Sequence, residues 1–144
     1  MRLITQNTDY AIRSLCYMAE KNGEIVSAAE LSSELQISWP LTRKILHELN
    51  KKGFVRSYKG KGGGFVIEAD PQEIFILELM KIFQGPFSFN RCVVNKKGCS
   101  NMMKCQLRKK ISEIEEYVTS ELKPVTIDSL LSGGASERTA RDFK

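Results

Sequence analysis

The feature that most constrains this chain is the order of hydrophobic patterns in its N-terminal half. Residues 27–35 and 39–52 each carry apolar side chains at helical spacing, and a short turn separates them. Residues 54–58 and 65–69 alternate like strands on either side of the glycine-rich turn KGKGGG at 59–64. Two short helices joined by a tight turn and followed by a β-hairpin form a winged helix-turn-helix. The sequence therefore predicts a mainly α-helical fold with a β-hairpin wing.

Capping residues support both helices of this motif. Ser27 is a favourable N-cap, and Glu30 three residues later completes a capping-box pattern. Ser38 can cap the second helix, and Pro40 stands near its first position, where proline is well accommodated. The predicted inward face of the second helix consists of Leu41, Ile45, Leu46 and Leu49.

Helices are also predicted outside the motif, over residues 8–20, 72–83 and 106–122, with a short helical turn in VTIDSLL near the C-terminus. Asp9 falls in the first turn of the first helix, where an acid interacts favourably with the helix dipole. Cys16 lies on the apolar face of the same helix and is interpreted as a core residue.

Positive charge is concentrated in one stretch of the chain. Between residues 39 and 65 the only acid is Glu48, and the basic residues are Arg43, Lys44, Lys51, Lys52, Arg56, Lys59 and Lys61. A continuous basic stretch on a winged helix favours binding to double-stranded DNA. A lysine-rich solvated face and a winged helix that contacts protein are the alternatives. A phosphate loop is disfavoured, because no Gly-Lys-Ser/Thr ending precedes a helix here.

The helix predicted at 106–122 carries a narrow apolar seam. Its members, spaced by three or four positions, are Leu107, Ile111, Ile114, Val118 and Leu122. A narrow stripe on a long helix favours packing against a partner helix, such as the same helix of a second subunit. Because helix-turn-helix proteins usually read two half-sites, we expect a homodimer, and packing on its own domain is the alternative.

Three of the four cysteines lie close together, in the pattern Cys92-x6-Cys99-x5-Cys105. The N-terminus lacks the apolar segment of a signal peptide, and no apolar run is long enough to span a membrane, so a cytoplasmic location is expected. Cytoplasmic thiols are kept reduced, which favours metal binding or reactivity over disulfides. Three thiolates suit an iron–sulfur cluster or zinc, and both usually need a fourth ligand. Thiol-based redox sensing and incidental cysteines remain the other interpretations.

Several features together resemble one family. The opening MRLITQNTDYAIRSL, the wing GKGGGF after a strand, the three-cysteine segment and the long helix behind it are similar to the IscR/NsrR family of winged-helix repressors. The similarity covers about residues 1–130, in the same order along the chain. It implies a homodimer with crossed long helices, DNA binding by the second helix of the motif and the wing, and a cluster held by Cys92, Cys99 and Cys105.

The fourth ligand implied by the resemblance differs between members. IscR-like members carry a histidine three residues after the last cysteine, where this chain has Arg108, which cannot ligate. NsrR-like members use an aspartate near the start of the first helix of the other subunit, and Asp9 matches that position. Asp9 is therefore the expected fourth ligand, and this favours a 4Fe–4S cluster over 2Fe–2S. The only histidine, His47, is interpreted as a surface or DNA-facing residue.

The expected DNA contacts lie on the second helix of the motif and on the wing. Arg43 and Lys44 fall where the family reaches base edges, and an arginine can pair with guanine through two hydrogen bonds. Lys59 falls where relatives often carry a minor-groove arginine, and Trp39 and Pro40 are expected to contact thymine methyl groups. The complete expected set is Trp39, Pro40, Thr42, Arg43, Lys44, Lys59, Gly60 and Lys61.

These inferences give one overall prediction. The chain is expected to form a winged helix-turn-helix domain at 1–84, a cluster-binding segment at 85–106, a dimerisation helix with an end segment at 107–131, and a disordered tail at 132–144. The expected function is that of a dimeric, sequence-specific transcription regulator that senses redox state, nitric oxide or iron–sulfur status, and not that of an enzyme. The alternative is a cluster-free regulator of the same fold that acts by thiol oxidation or by binding a partner.

Overall fold

The computed structural model describes residues 2–89 and 104–133. Six helices and two strands lie in this part of the chain. In chain order they are α1 (Gln6–Glu20), α2 (Ala28–Leu35), α3 (Trp39–Lys51), β1 (Val55–Tyr58), β2 (Gly64–Ile67), α4 (Ile76–Gln84), α5 (Gln106–Leu122) and α6 (Ile127–Leu131).

The core lies where α1, α2, α3 and α4 meet under the hairpin. Its fully buried side chains include Leu15 and Met18 of α1, Leu31 of α2, and Leu46 of α3. Their spacing of three or four residues within each helix explains why one face of each is withdrawn from water. The predicted winged helix-turn-helix fold is confirmed, with α2 and α3 as its two-helix motif.

The wing is a two-stranded antiparallel hairpin that is bridged to the chain just before α2. Val55 pairs with Ile67, and Tyr58 pairs with Gly64. Before α2, Val26 forms an isolated antiparallel bridge to Phe65, and each backbone N–H of this pair donates to the other residue's carbonyl at 2.8 Å. This bridge attaches the wing to the helical core through a third short stretch of extended chain.

The glycine turn of the wing is tightly packed at Gly63. A Cβ atom at this position would lie 2.3 Å from the Tyr58 carbonyl oxygen and 2.9 Å from that of Gly60, and both are backbone atoms that cannot rotate away. We expect Gly63→Ala to destabilise the protein by about 1–3 kcal/mol, since the turn must rearrange. Urea unfolding measures this loss. The comparison is Gly62→Asn, at a positive φ with open space around it, where asparagine causes no clash and is less strained than most other residues. Equal stability of the two variants would contradict the expectation.

The predicted caps of the motif are only partly confirmed. Ser27 caps α2, because its hydroxyl accepts a hydrogen bond from the Glu30 N–H at 3.0 Å. The predicted capping box does not form. The Glu30 carboxylate instead accepts from the Tyr17 hydroxyl at 2.7 Å and so links α2 to α1. Ser38 occupies the N-cap position of α3 without a side-chain bond. Its carbonyl oxygen accepts from the Thr42 hydroxyl at 3.0 Å.

The predicted helix at 72–83 begins four residues later than expected, at Ile76. Asp70 starts a turn instead, in which its carboxylate accepts from the Gln72 N–H at 2.9 Å. Phe75 is extended and forms an antiparallel bridge with Thr126. The competing turn and this long-range pairing explain the later start of the helix.

The segment after α5 returns to the N-terminal domain. Ile127 is completely buried in the common core, and its N–H donates to the Ile74 carbonyl at 3.0 Å. Helix α6 has a full capping box, in which the Thr126 and Ser129 side chains each accept a bond from the other residue's backbone. In its packing this segment therefore belongs with residues 1–84 and not with α5, where the sequence analysis had placed it. The expected disordered tail begins at 132, and residues 134–144 lie outside the described part.

Helix α5 has the predicted bounds but none of its residues is buried. Within the described residues, Leu107 and Tyr117 are 68% and 65% exposed, and Ile114 is 41% exposed. Only the end of the helix reaches the core, through Leu122. The described part of the chain thus leaves Leu107 and Ile114 of the apolar seam exposed, whereas Ile111, Val118 and Leu122 are partly covered.

Candidate functional site

The outer face of α3 presents a row of exposed side chains at the helix start. Trp39 is 49% exposed, and Pro40, Arg43 and Lys44 are exposed beside it. Pro40 lies within the first two helical positions, where its missing N–H costs no hydrogen bond. Arg43 lies one turn after Trp39, with its guanidinium carbon 4.9 Å from the centre of the indole ring. The distance fits a cation–π contact.

Thr42 does not belong to this exposed face. It is 1% exposed and shares the inner side of α3 with Ile45, Leu46 and Leu49. Its hydroxyl is used in the bond to the Ser38 carbonyl. Thr42 is therefore withdrawn from the expected set of DNA contacts, because a helix of period 3.6 turns this position inward.

The wing tip carries the other expected contacts. Lys59, Gly60 and Lys61 are all exposed, and Gly60 has a φ of +94°, which glycine adopts without strain. At the base of the wing, Arg56 lies 3.1 Å from Glu68, so one of the basic residues is locally paired. A hydrogen bond with Tyr58 and the Glu68 carboxylate raise the pKa of Arg56. The free positive charge of the wing is thus concentrated at its tip.

His47 completes the outer face of α3. It is exposed, as predicted, and its ring meets that of Phe65 edge-on with centroids 6.3 Å apart. The contact joins the C-terminal half of α3 to the wing strand β2. Helix α3 and the wing are therefore in direct contact, as in a winged helix that uses both elements on DNA.

The expected metal ligands are only partly within the described residues. Cys105 is a free, partly buried thiol at the N-cap position of α5, whereas Cys92 and Cys99 lie outside the described part. In residues 2–89 and 104–133 there is no cluster of three metal-ligating side chains. Cys105 has the donor chemistry of an iron–sulfur ligand and forms no disulfide, so this position fits such a group.

Asp9 lies in the first turn of α1, as predicted. Its carboxylate is 43% exposed and lies 3.0 Å from the Nε of Arg13. An exposed ion pair between neighbouring turns of a helix contributes only about 0.3–0.5 kcal/mol. The carboxylate is therefore accessible and weakly held, as a ligand offered to another subunit must be.

Cys16 is not part of this set. Burial, together with the nearby Glu20 carboxylate, raises the pKa of its thiol. A thiol with a raised pKa stays protonated and is a poor metal ligand or nucleophile. The structure thus agrees with the interpretation of Cys16 as a core residue.

Gln84 is a residue that the sequence analysis missed. Its side-chain oxygen accepts from the Thr5 N–H at 3.0 Å and from the Thr8 hydroxyl at 2.8 Å, and its amide donates to the Leu3 carbonyl at 2.9 Å. Gln84 is also the last residue of α4, just before the cysteine-containing segment. It therefore ties that segment to the start of α1, where Asp9 lies. Its partners are more than 70 positions away, so no local pattern indicates the contact.

We expect Gln84→Ala to destabilise the protein by about 1–2 kcal/mol, since three hydrogen bonds are lost and the buried Thr8 hydroxyl loses a partner. Urea unfolding followed by circular dichroism measures the effect. Gln72→Ala, at an exposed position before α4, is the matched control and should change stability by less than about 0.5 kcal/mol. An identical midpoint for both variants would show that the Gln84 contacts contribute nothing.

A second anchor holds the same segment to α5. The Ser88 hydroxyl donates to the Glu115 carboxylate at 3.1 Å, and the Phe89 N–H donates to the same oxygen. Phe87 packs against the core and meets Phe89 edge-on. The chain leading into the cysteine segment is thus fixed both to α1 and to α5.

Within the parts of the chain described, no helix is both long and apolar enough to cross a membrane.

Comparison with known proteins supports the resemblance found in the sequence. The chain is 30% identical over 112 residues to the HTH-type transcriptional regulator NsrR of Bacillus subtilis, which covers 76% of this chain and 77% of the relative. The structure of CymR, the global cysteine regulator of B. subtilis, superposes with a TM-score of 0.70 at 22% identity, covering 92% of this chain and 98% of CymR. T. potens IscR gives a TM-score of 0.68 at 16% identity, covering 96% and 92%.

The two structural likenesses show a shared fold. The family is shown by a match that extends from the residues before α1 to the end of α6. Because residues 4–133 match the Rrf2 family, described as iron-dependent transcriptional regulators, the chain belongs to that family.

Proposed function

We propose that this Rrf2-family transcriptional regulator is a homodimer that binds specific double-stranded DNA sequences and senses redox state, nitric oxide or iron–sulfur status through a cluster. The observation that carries the DNA-binding part is the exposure of the basic side chains at the start of α3 and at the wing tip, in a fold where His47 of α3 contacts Phe65 of the wing. Rrf2-family members are transcription regulators, which confirms the prediction that the chain is not an enzyme.

The proposed DNA contacts are divided between the two elements. In this proposal Arg43 and Lys44 of α3 reach base edges in the major groove, and the wing tip contacts phosphates or the minor groove. The exposure of both groups of residues supports these roles. The remaining proposed contacts are Trp39, Pro40, Lys59, Gly60 and Lys61. Arg43, Lys44, Lys59 and Lys61 contribute the positive charge of this proposed surface, whereas Arg56 is paired with Glu68.

The proposed dimer is supported by the exposed seam of α5. Leu107 and Ile114 of this stripe are exposed, and a second apolar surface that covers them would stabilise the helix. The same helix of a second subunit is self-complementary to it, as a two-fold interface requires. Such a dimer presents two copies of α3 to two half-sites of an operator.

The proposed cluster ligands are Cys92, Cys99 and Cys105 of one subunit and Asp9 of the partner subunit. When bound, the cluster supplies a group that reacts with nitric oxide or oxygen, and with a carboxylate ligand 4Fe–4S is favoured over 2Fe–2S. Asp9 is available for this role because its pair with Arg13 is exposed and weak. Cys105 is available because it is a free thiol at the start of the dimerisation helix.

The proposed switch involves the start of α1. Asp9 is in the first turn of α1, and Gln84 links that turn to the end of α4. A change of partner for Asp9, between Arg13 and the cluster, would bias the position of α1 relative to the partner subunit. A coupling of about 1–3 kcal/mol between cluster and DNA is expected for such a switch. From these proposed roles we expect the protein to act in the cytoplasm.

The first experiment is an absorption spectrum of protein purified without oxygen, with iron and sulfide counted per chain. About four irons per cluster and a broad shoulder near 400 nm support 4Fe–4S, and about two irons with resolved bands at longer wavelength support 2Fe–2S. A protein that stays colourless after reconstitution would favour the cluster-free alternative, which acts by thiol oxidation or partner binding.

The salt dependence of DNA affinity tests the proposed DNA contacts. Affinity for double-stranded DNA should fall steeply with salt, and Lys61→Ala should make the slope of log affinity against log salt shallower by about one. Lys110→Ala, which removes an equal charge from α5 beside Glu113, should leave the slope unchanged. Binding that does not depend on salt would contradict the proposal.

A further inference from the structure

The contact between Trp39 and Arg43 changes the role expected for the tryptophan. The two residues stand four positions apart on the exposed face of α3, so their side chains are neighbours on the helix surface. The guanidinium carbon lies 4.9 Å from the indole centre. About half of the tryptophan surface is covered, and the Arg43 guanidinium lies over one face of its ring.

The contact also distinguishes Arg43 from other arginines of the fold. Arg13 is paired with Asp9 at 3.0 Å, and Arg56 is paired with Glu68 at 3.1 Å, so carboxylates occupy their donors. Within the described residues, the contact found for Arg43 is an aromatic ring. A ring attracts the cation without accepting its N–H groups in the manner of a carboxylate, so all five donors stay available to an outside acceptor.

A long, flexible side chain must lose rotamer freedom before it can make two hydrogen bonds to one base. The indole reduces this loss, because it restricts the guanidinium before DNA arrives. Its own position is defined, since Trp39 begins α3 and Pro40 restricts the backbone beside it. A preoriented arginine that keeps its donors is suited to the O6 and N7 acceptors of guanine.

We propose that Trp39 is a specificity-determining positioning residue, which holds Arg43 for recognition of one guanine in each half-site and does not itself read thymine methyl groups. This inference rests on the proposed DNA-binding function.

The experiment begins by selecting sites for the full-length dimer from a random double-stranded DNA library. Arg43→Ala identifies the guanine position, as the one where preference disappears. Trp39→Leu should then lower the guanine-over-adenine binding ratio at that same position by roughly two- to five-fold. Trp39→Phe, which keeps an aromatic face, should retain most of the ratio. A merely structural role would weaken binding to both sequences equally, as Lys61→Ala is expected to do.

Three results would overturn the inference. The first is a full guanine preference in Trp39→Leu. The second is weaker binding of the wild-type protein, but not of Trp39→Leu, when thymine is replaced by deoxyuridine, since this would mean that Trp39 reads the methyl group. The third is a selection in which Arg43→Ala changes no position. If the wild-type protein selects no sequence at all, the proposed function itself fails. Thermal unfolding of Trp39→Leu should match the wild type, because the ring is half exposed.

Discussion

Substitution of Cys99 by alanine is expected to remove the iron from the protein completely. With one of the three proposed thiolate ligands missing, Cys92 and Cys105, together with the proposed Asp9 of the partner subunit, would be too few to hold a cluster that needs four protein ligands. Iron and sulfide counts after anaerobic purification and reconstitution measure this, together with the absorption spectrum. The same loss is expected for Cys92→Ala and Cys105→Ala.

Cys16→Ala is the matched control for this experiment. It removes a thiol whose pKa is raised by burial and by Glu20. The Cys16 side chain lies on α1 and packs against the hydrophobic core. This variant should keep the full iron content and lose only the small stability of a partly buried side chain. Full iron retention in Cys99→Ala would refute the proposed ligand set. Iron loss in Cys16→Ala would show that Cys16 does more than pack against the core.

Substitution of Ile114 by glutamate is expected to separate the proposed dimer into monomers. Ile114 lies in the middle of the α5 seam and is 41% exposed in the single chain. In a two-fold interface the change places two carboxylates in an apolar contact, at a cost of roughly 3 kcal/mol or more, which raises the dimer dissociation constant about 100-fold. Sedimentation at micromolar concentration measures the change. DNA affinity should fall with it, because one subunit reads one half-site.

Ser120→Glu is the control for charge on the same helix. Ser120 is exposed, lies off the seam, and its hydroxyl donates only to the Tyr117 carbonyl of its own helix. The variant should remain a dimer with nearly unchanged DNA affinity. A wild-type protein that sediments as a monomer, or an Ile114→Glu dimer as stable as the wild type, would rule out α5 as the interface.

The elements that sequence reasoning predicted well are those with local signals. The bounds of α5 follow from five apolar positions at helical spacing, and the hairpin follows from two alternating runs around KGKGGG. The Ser27 cap follows from a serine three residues before Glu30. In each case the determining residues lie within a few positions of one another, so the pattern is visible in the chain itself.

The errors occur where a more distant contact decides the outcome. The later start of α4 depends on the pairing of Phe75 with Thr126, 51 positions away. The Glu30 carboxylate prefers the Tyr17 hydroxyl on another helix to the local capping box. Thr42 was expected to face DNA, but the packing of α3 on the core turns it inward, and its hydroxyl is satisfied within the helix.

For the candidate site, the sequence by itself determined where charged and ligand-type side chains stand: in a basic α3 and wing, in three clustered cysteines, and in an aspartate of the first turn of α1. Composition and spacing suffice for this, because charge and ligand type are properties of the side chains alone. Only the tertiary structure decided that Arg43 lies against Trp39, that Gln84 holds α1 to the end of α4, and that α6 completes the core. Those relations depend on how helices pack, and packing brings together side chains that no local pattern connects.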